Sequence, residues 1–380
     1  MLKIIQRLEE WKVEKINVMA PINPLGYGVV GLNVTKELSK TNEVSLFPIG
    51  NPEVSTQEDA GVVQQCIKNQ TSFDAKAPCL RIWHQFAMAE QIGNGLRCGF
   101  PIFELDAFNE NEMHHLNSLD KIFVCSDWAK EVVVENLYNL YKHINVSQDV
   151  HVCPLGVDRT VFFEDNTDTG TETRFINIGK WEFRKGHDVL VEAFEKAFEP
   201  SDNVKLYMMN HNPFLNQEQE REWVDLYKNS KMGERIEILP RVQTHQEVAN
   251  IIRQMDCGVF PSRAEGWNLE AIEMLSCGKE LIVTDYSAHT EFCTEENSRL
   301  IEIDEKESAY DGIWFHGQGM WAELGPSQID QLVEHLRAVH KEQQSGKLSN
   351  EAGIKTAKEF SWNFTASKIL ENLEISQVVA

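Results

Sequence analysis

Two carboxylates, Glu265 and Glu273, flank a predicted helix start in the segment Phe260–Glu273, written F-P-S-R-A-E-G-W-N-L-E-A-I-E. Glu265 lies in the turn, followed by Gly266, Trp267, Asn268 and Leu269; Glu273 lies one turn into the helix. Free N–H groups at a helix N-terminus carry about half a positive charge, which suits a diphosphate or the hydroxyls of a sugar. A carboxylate at Glu273 can accept both hydroxyls of a ribose. One at Glu265 can hold sugar hydroxyls or stabilise a cationic sugar. Each also has a plain structural explanation. An acid near a helix start stabilises the dipole by roughly 0.3–1 kcal/mol, and Glu265 fits a turn.

A second group is G-K-W-E-F-R-K-G, Gly179–Gly186, which gathers Lys180, Arg184 and Lys185 between a predicted strand and helix. A diphosphate leaving group gains negative charge as its sugar bond breaks, so fixed cations aimed at it favour the transition state. A solvated loop balancing nearby acids would look the same. A third group is Gly26, Gly28 and Gly31, spaced G-x-G-x-x-G. The turn before it is longer than a dinucleotide fingerprint needs. The second strand ends F-P-I-G-N, with no acid to hold a ribose diol. That leaves either a glycine turn admitting a phosphate or sugar to backbone N–H groups, or a structural turn.

These groups must be positioned by strands and helices that alternate along the whole chain, the pattern of parallel α/β sheets. Strands are predicted at Lys15–Ala20, Glu43–Phe47, Arg81–His84, Lys121–Cys125 and Val150–Pro154. A second set falls at Phe175–Ile178, Lys205–Met209, Ile236–Leu239, Cys257–Phe260 and Glu280–Thr284. Helices are predicted at Asn33–Ser39, after Ser126 as N-cap, at Asp188–Phe198, at Glu218–Lys228 and from Leu269 to a stop at Gly278. Leu2, Ile5 and Leu8 suggest a short amphipathic helix at the start. Between the two sets, Glu164–Glu172 (EDNTDTGTE) is polar and acidic and reads as a linker. The expected division is 1–165, 166–360 and a terminal helix over 361–380. Ligands of such sheets bind beyond the C-terminal strand ends, here in a cleft between the two domains.

The 380 residues carry a net charge of −23, which disfavours nucleic acid as a partner. Of eight cysteines none forms C-x-x-C, so reduced buried thiols in a cytoplasmic protein are expected. No apolar run reaches the ~18 residues of a membrane span.

The order of G-K-W-E-F-R-K-G-H-D-V-L, P-S-R-A-E-G-W-N-L-E-A-I-E-M-L-S-C-G and T-D-Y-S-A-H-T-E resembles the retaining GT-B glycosyltransferases. It is most similar to the group called glycosyltransferase family 4, or glycosyl transferases group 1. P-L-G-V-D-R-T-V-F, with Gly156, Val157, Asp158 and Phe162, resembles the family's lead into the linker. Phe360-Ser361-Trp362 resembles the start of its C-terminal helix, which crosses back to the first domain. The match spans most of 150–370 and is looser before that, where acceptors bind.

The resemblance implies two Rossmann-like domains and a nucleotide diphosphate sugar as donor substrate, with UDP, GDP and ADP left open. It implies no cofactor. The acceptor would be a glycan, a lipid-linked molecule or a small molecule. Carried over by position, Glu273 would hold the ribose. Glu265 with Gly266, Trp267, Asn268 and Leu269 would hold the transferred sugar and β-phosphate. Lys180 and Lys185 would hold the diphosphate, with Gly26 and Gly28 closing over it and His84 near the sugar. Val242, after the strand IEIL, is a candidate facing the base. Lys180 stands where the family has arginine. It keeps the charge without the bidentate fork, and Arg184 is the other candidate for that role. Ala288-His289 replaces a common glycine pair. There is no D-x-D, so no metal is expected, and no second carboxylate stands as a nucleophile, so front-side attack with retention is implied. A sugar-nucleotide epimerase, a phosphorylase, a non-catalytic sugar-nucleotide binder and a dehydrogenase are the competing readings.

Overall fold

The computed structural model describes residues 14–141, 149–165, 170–346 and 348–379. The helix expected around Leu2, Ile5 and Leu8 lies outside them, as does part of the predicted linker. The chain divides into two compact units. One comprises the residues up to Phe103, Ala107–Gly156 and those from Phe360 onward. The other comprises Val157–Glu359 with Glu104–Asp106.

The first unit is built on six parallel strands: β1 (Lys15–Ala20), β2 (Glu43–Pro48), β3 (Cys79–Trp83), β4 (Arg97–Pro101), β5 (Lys121–Val124) and β6 (Val150–Val152), in the order β2-β1-β3-β4-β5-β6. Ile16, Asn17 and Val18 of β1 are all at most 1% exposed, so both faces of this strand are covered, as expected when helices line a parallel sheet. Sequence reading passes over β4, because its R-C-G-F-P carries two residues that weaken strands. Gly99 earns its place by contact: a Cβ there would lie 2.7 Å from Met88 Sδ and 2.5 Å from Leu119 Cδ1.

The first helix starts at Gly26, not Asn33, and runs to Ser39. Gly26, Gly28 and Gly31 therefore belong to its first turns and do not form a loop ahead of it. A Cβ at Gly28 would lie 2.2 Å from Asn23 O, and one at Gly31 2.2 Å from Pro21 O. Close packing onto the preceding segment thus accounts for both. The C-terminal helix Trp362–Val379 belongs to this unit. Trp362, Ala366, Ile369 and Leu373 are buried, and Thr365 Oγ1 donates to Pro154 O at 2.6 Å.

The second unit repeats the plan with β7 (Thr173–Ile178), β8 (Val204–Met209), β9 (Ile236–Ile238), β10 (Cys257–Phe260), β11 (Glu280–Thr284) and β12 (Arg299–Ile301), all parallel, in the order β12-β11-β10-β7-β8-β9. Its core gathers Phe175, Phe194, Phe198, Leu206, Met208, Leu332 and Leu336. The helix His187–Ala197 packs on Pro326–Gln344. An antiparallel hairpin, β13 (Lys306–Tyr310) with β14 (His316–Ala322), stands between β12 and that last helix. Among the described residues no helix is long and apolar enough to cross a membrane.

Candidate active site

The site forms beyond the C-terminal ends of β7 and β10, adjacent in the second sheet. The basic loop leaves β7 at Gly179 and is braced along its backbone. Trp181 N donates to Asn210 O at 2.8 Å, Asn212 Nδ2 donates to Trp181 O at 2.9 Å, and His187 Nε2 lies 2.9 Å from Lys180 O. Burial pushes His187 down to about 4, so it is neutral at physiological pH. Phe183–Lys185 make a single tight turn that ends on Gly186 at φ 70°, a left-handed conformation that favours glycine. A Cβ on Gly186 would sit 1.9 Å from Pro261 O, so the absent side chain lets the loop lie directly on the segment after β10. Arg263 locks the same join. Its guanidinium donates to both Asp188 oxygens at 2.8 and 2.9 Å and to Phe183 O at 2.8 Å.

The charged side chains converge at this join. Arg184 donates to Glu265 Oε2 at 3.0 Å, Glu182 Oε2 at 2.6 Å and Ala264 O at 2.6 Å. Lys185 Nζ donates to Glu265 Oε1 at 2.9 Å, which Ser262 Oγ also meets at 2.8 Å. Lys180 Nζ pairs with Glu182 Oε1 at 2.6 Å and is the most exposed of the three cations. Burial would raise the Glu265 carboxyl, but Lys185 and Arg184 outweigh it and hold it well below the ordinary carboxylate range. Glu182 is likewise pushed up by burial and drawn down further by Arg184 and Lys180, to about 2. Both are ionised, and so are Arg184 and Lys185, whose burial is offset by the same acids. Lys180, Arg184 and Lys185 thus converge on Glu182 and Glu265, with Glu104 Oε1 a further 3.9 Å from Arg184.

The helix Leu269–Ser276 begins beside this cluster. Its N-cap, Asn268, is left-handed at φ 79°, and Asn268 Oδ1 accepts from Ala271 N at 3.2 Å. Asn268 Nδ2 meets His289 Nε2 at 2.8 Å, while His289 Nδ1 lies 3.0 Å from Thr284 O. Burial lowers His289 to about 4. The neutral ring thus donates from Nδ1 and accepts at Nε2, which fixes the Asn268 amide. Gly266, Trp267 and Asn268 are buried at the helix start, and Leu269 is half-buried. One turn further on, Glu273 is 7% exposed. Burial, then Glu270, raise its carboxyl well above the usual range. Among the described residues no hydrogen bond or ion pair reaches this carboxyl.

Of the residues singled out from sequence, the second unit therefore brings together Lys180, Arg184, Lys185, Glu265 and the helix start. Glu273 follows one turn beyond. Val242 is half-buried in the loop between β9 and the helix His245–Arg253, outside the charged cluster. Gly26, Gly28 and His84 lie in the first unit and form a group of their own. His84 follows β3, 4.6 Å from the Tyr27 ring and stacked 5.1 Å from Phe86. Sequence reading missed Glu182, Ser262, Arg263, Ser287 and His289. Glu182 had a signal, since it sits midway between Lys180 and Arg184. Ser287, whose Oγ accepts from Glu265 N at 2.8 Å, had none; His289 stood out only as half of the Ala288-His289 pair, because its partner Asn268 is some twenty residues away.

Fold and site define the class first: two Rossmann-like units of the GT-B type, with a charged centre at the strand ends of the second. Known structures share this fold. Sucrose-phosphate synthase from Thermosynechococcus elongatus superposes with a TM-score of 0.69 at 13% identity, over 97% of this chain and all of the other. Anabaena HepE in complex with UDP and glucose superposes at 0.67 and 14% identity, over 95% and 99%. A family model described as Glycosyl transferases group 1 matches residues 172–314. An uncharacterised glycosyltransferase of Methanocaldococcus jannaschii is 27% identical over 168 residues, which span 43% of this chain and only 40% of that relative's length. The chain thus has the two-domain GT-B fold, and its second unit carries a segment similar to glycosyl transferases group 1.

Proposed function

We propose that the protein moves a sugar from a nucleotide diphosphate sugar to an acceptor hydroxyl, with retention of anomeric configuration and without a divalent metal. The observation that carries this reading is the convergence of Lys180, Arg184 and Lys185 at the strand ends beside the start of the helix Leu269–Ser276, with the buried Glu273 carboxyl one turn further along that helix. A nucleoside diphosphate has the complementary pair of groups: an anionic diphosphate and a ribose diol that can donate two hydrogen bonds. Support also comes from relatives of the same fold, since Anabaena HepE is known in complex with UDP-glucose.

In this reading Lys180 and Lys185 meet the diphosphate, and Arg184 supplies the planar fork from within the cluster. The helix start at Gly266–Leu269 faces the β-phosphate and sugar. Both oxygens of Glu265 are engaged by Arg184, Lys185 and Ser262, which suits electrostatic stabilisation of a cationic sugar better than attack on it. The acceptor oxygen bonds to the anomeric carbon as the bond from that carbon to the β-phosphate oxygen breaks. The departing phosphate takes the acceptor's proton. Positioning and fixed charge supply the catalysis.

The test is a thermal-shift screen of UDP-, GDP- and ADP-sugars, followed by a cleavage assay on the hit with and without EDTA. One donor should raise the melting temperature and be cleaved at an unchanged rate in EDTA. Loss of cleavage in EDTA removes the metal-independent part of the proposal, and a silent screen removes the donor reading.

A further inference from the structure

Two aromatic side chains near Lys180 are held in place yet left exposed. Phe214, in the loop after β8, is 56% exposed and Trp314, at the hairpin turn between β13 and β14, is 47% exposed. Their rings meet edge to face at 6.0 Å. Lys180 Nζ sits 5.5 Å over the Phe214 ring, so the pair adjoins the charged cluster directly.

Neither ring is on a loose loop. Phe214 N donates to Asn212 Oδ1 at 3.0 Å, and the buried Asn212 amide in turn holds Trp181 O of the basic loop. Three consecutive N–H groups, of Ile313, Trp314 and Phe315, donate to Asp311 Oδ1 at 2.9, 2.7 and 2.8 Å. The hairpin is anchored by Phe315 against the buried Trp321, 4.7 Å away. The fold thus fixes two large apolar faces in water, where they gain nothing from burial. Exposed, ordered aromatics of this kind mark a binding surface.

Resting on the donor reading above, we propose that Phe214 and Trp314 form a stacking platform for a neutral pyranose of the acceptor. A pyranose has an apolar C–H face that covers an aromatic ring and an equatorial rim of hydroxyls. Lys180, the most exposed cation of the cluster, offers a donor at the edge of the platform for that rim. The strongly acidic chain favours an uncharged ligand over an anionic membrane or a nucleic acid. Continuity with Lys180 ties the platform to the reacting groups.

The experiment is saturation-transfer NMR on the full chain with methyl glucopyranoside, methyl galactopyranoside and methyl mannopyranoside, in the presence of UDP, GDP and ADP in turn. At least one glycoside should show transfer strongest at its ring C–H protons. Trp314→Ala and Phe214→Ala should each lower its affinity about three- to ten-fold, the scale of one aromatic contact, while Trp314→Phe restores most of it. Calorimetric binding of nucleotide sugars to the wild type is measured in parallel. Donor binding without pyranoside transfer, or transfer unchanged in both alanine variants, overturns the platform and leaves the donor reading standing. Absence of donor binding overturns the donor reading and the acceptor role with it. Co-sedimentation with phosphatidylcholine vesicles that depends on Trp314, or self-association that depends on it, also overturns the pyranose assignment.

Discussion

Burial of charge is uncompensated at Glu273 and offset by acids at Lys185. The Glu273 carboxyl is raised well above its ordinary range by burial and by Glu270. A carboxyl that binds its proton more tightly in the folded state contributes stability below its unfolded value of about 4.3 and loses it as pH rises toward the folded value. Glu273→Gln should therefore raise the melting temperature of the free protein at pH 8 and change it little at pH 4. In calorimetry the same variant should bind free nucleoside diphosphate more weakly. Equal affinity would remove the ribose role. Glu182 has the reverse sign. Its folded value near 2 means its contribution is present above about 4.5 and disappears as pH falls toward 2. Lys185→Ala should slow transfer at least ~100-fold, the scale for losing one transition-state donor, and a near-wild-type rate in steady-state kinetics would refute the phosphate assignment. Lys180, Arg184, Lys185 and Glu265 were legible because each lies just beyond a strand that its own flanking residues predict. That the two lysines and Arg184 share two carboxylates was not legible, since the pairing joins residues 80 apart in sequence.

Elements place these side chains through glycine-mediated contact. Gly186 ends the basic loop in a left-handed turn against Pro261 O. Gly186→Ala should cost about 1–3 kcal/mol of stability from backbone strain, read from denaturant unfolding, and should weaken donor binding as the loop lifts off. Unchanged unfolding would show that the join is not where the loop is held. Most strands were legible from apolar runs bounded by turn residues, as at β1 and β10. The exceptions have physical reasons. Gly99 and Pro101 disguise β4, and the first helix begins on Gly26 because two of its glycines serve packing, not a turn. The hairpin β13/β14 has too many exposed residues to show strand alternation.

On the scale of the whole molecule, alternating strand and helix signals were enough to reveal two parallel sheets. The C-terminal helix shows what a local pattern cannot say. Its sequence predicts a helix, and only the packing of Trp362, Ile369 and Leu373 assigns it to the first unit. Truncation after Glu359 should expose that apolar seam and destabilise the first unit by more than about 3 kcal/mol, since each large buried side chain contributes ~1.5–3 kcal/mol. A new early thermal transition with increased binding of a hydrophobic dye would record it, and an unaltered melting profile would contradict it. The central claim is that the charged centre of the second unit cleaves a nucleotide sugar by front-side attack. Its most direct test is time-resolved proton NMR of the protein with a panel of α-linked UDP-, GDP- and ADP-sugars. Release of nucleoside diphosphate from one donor is expected, with the α-anomer of the sugar appearing first, and that release should be lost in Lys185→Ala. A β-anomer first, a panel left intact, or release indifferent to Lys185 would contradict it.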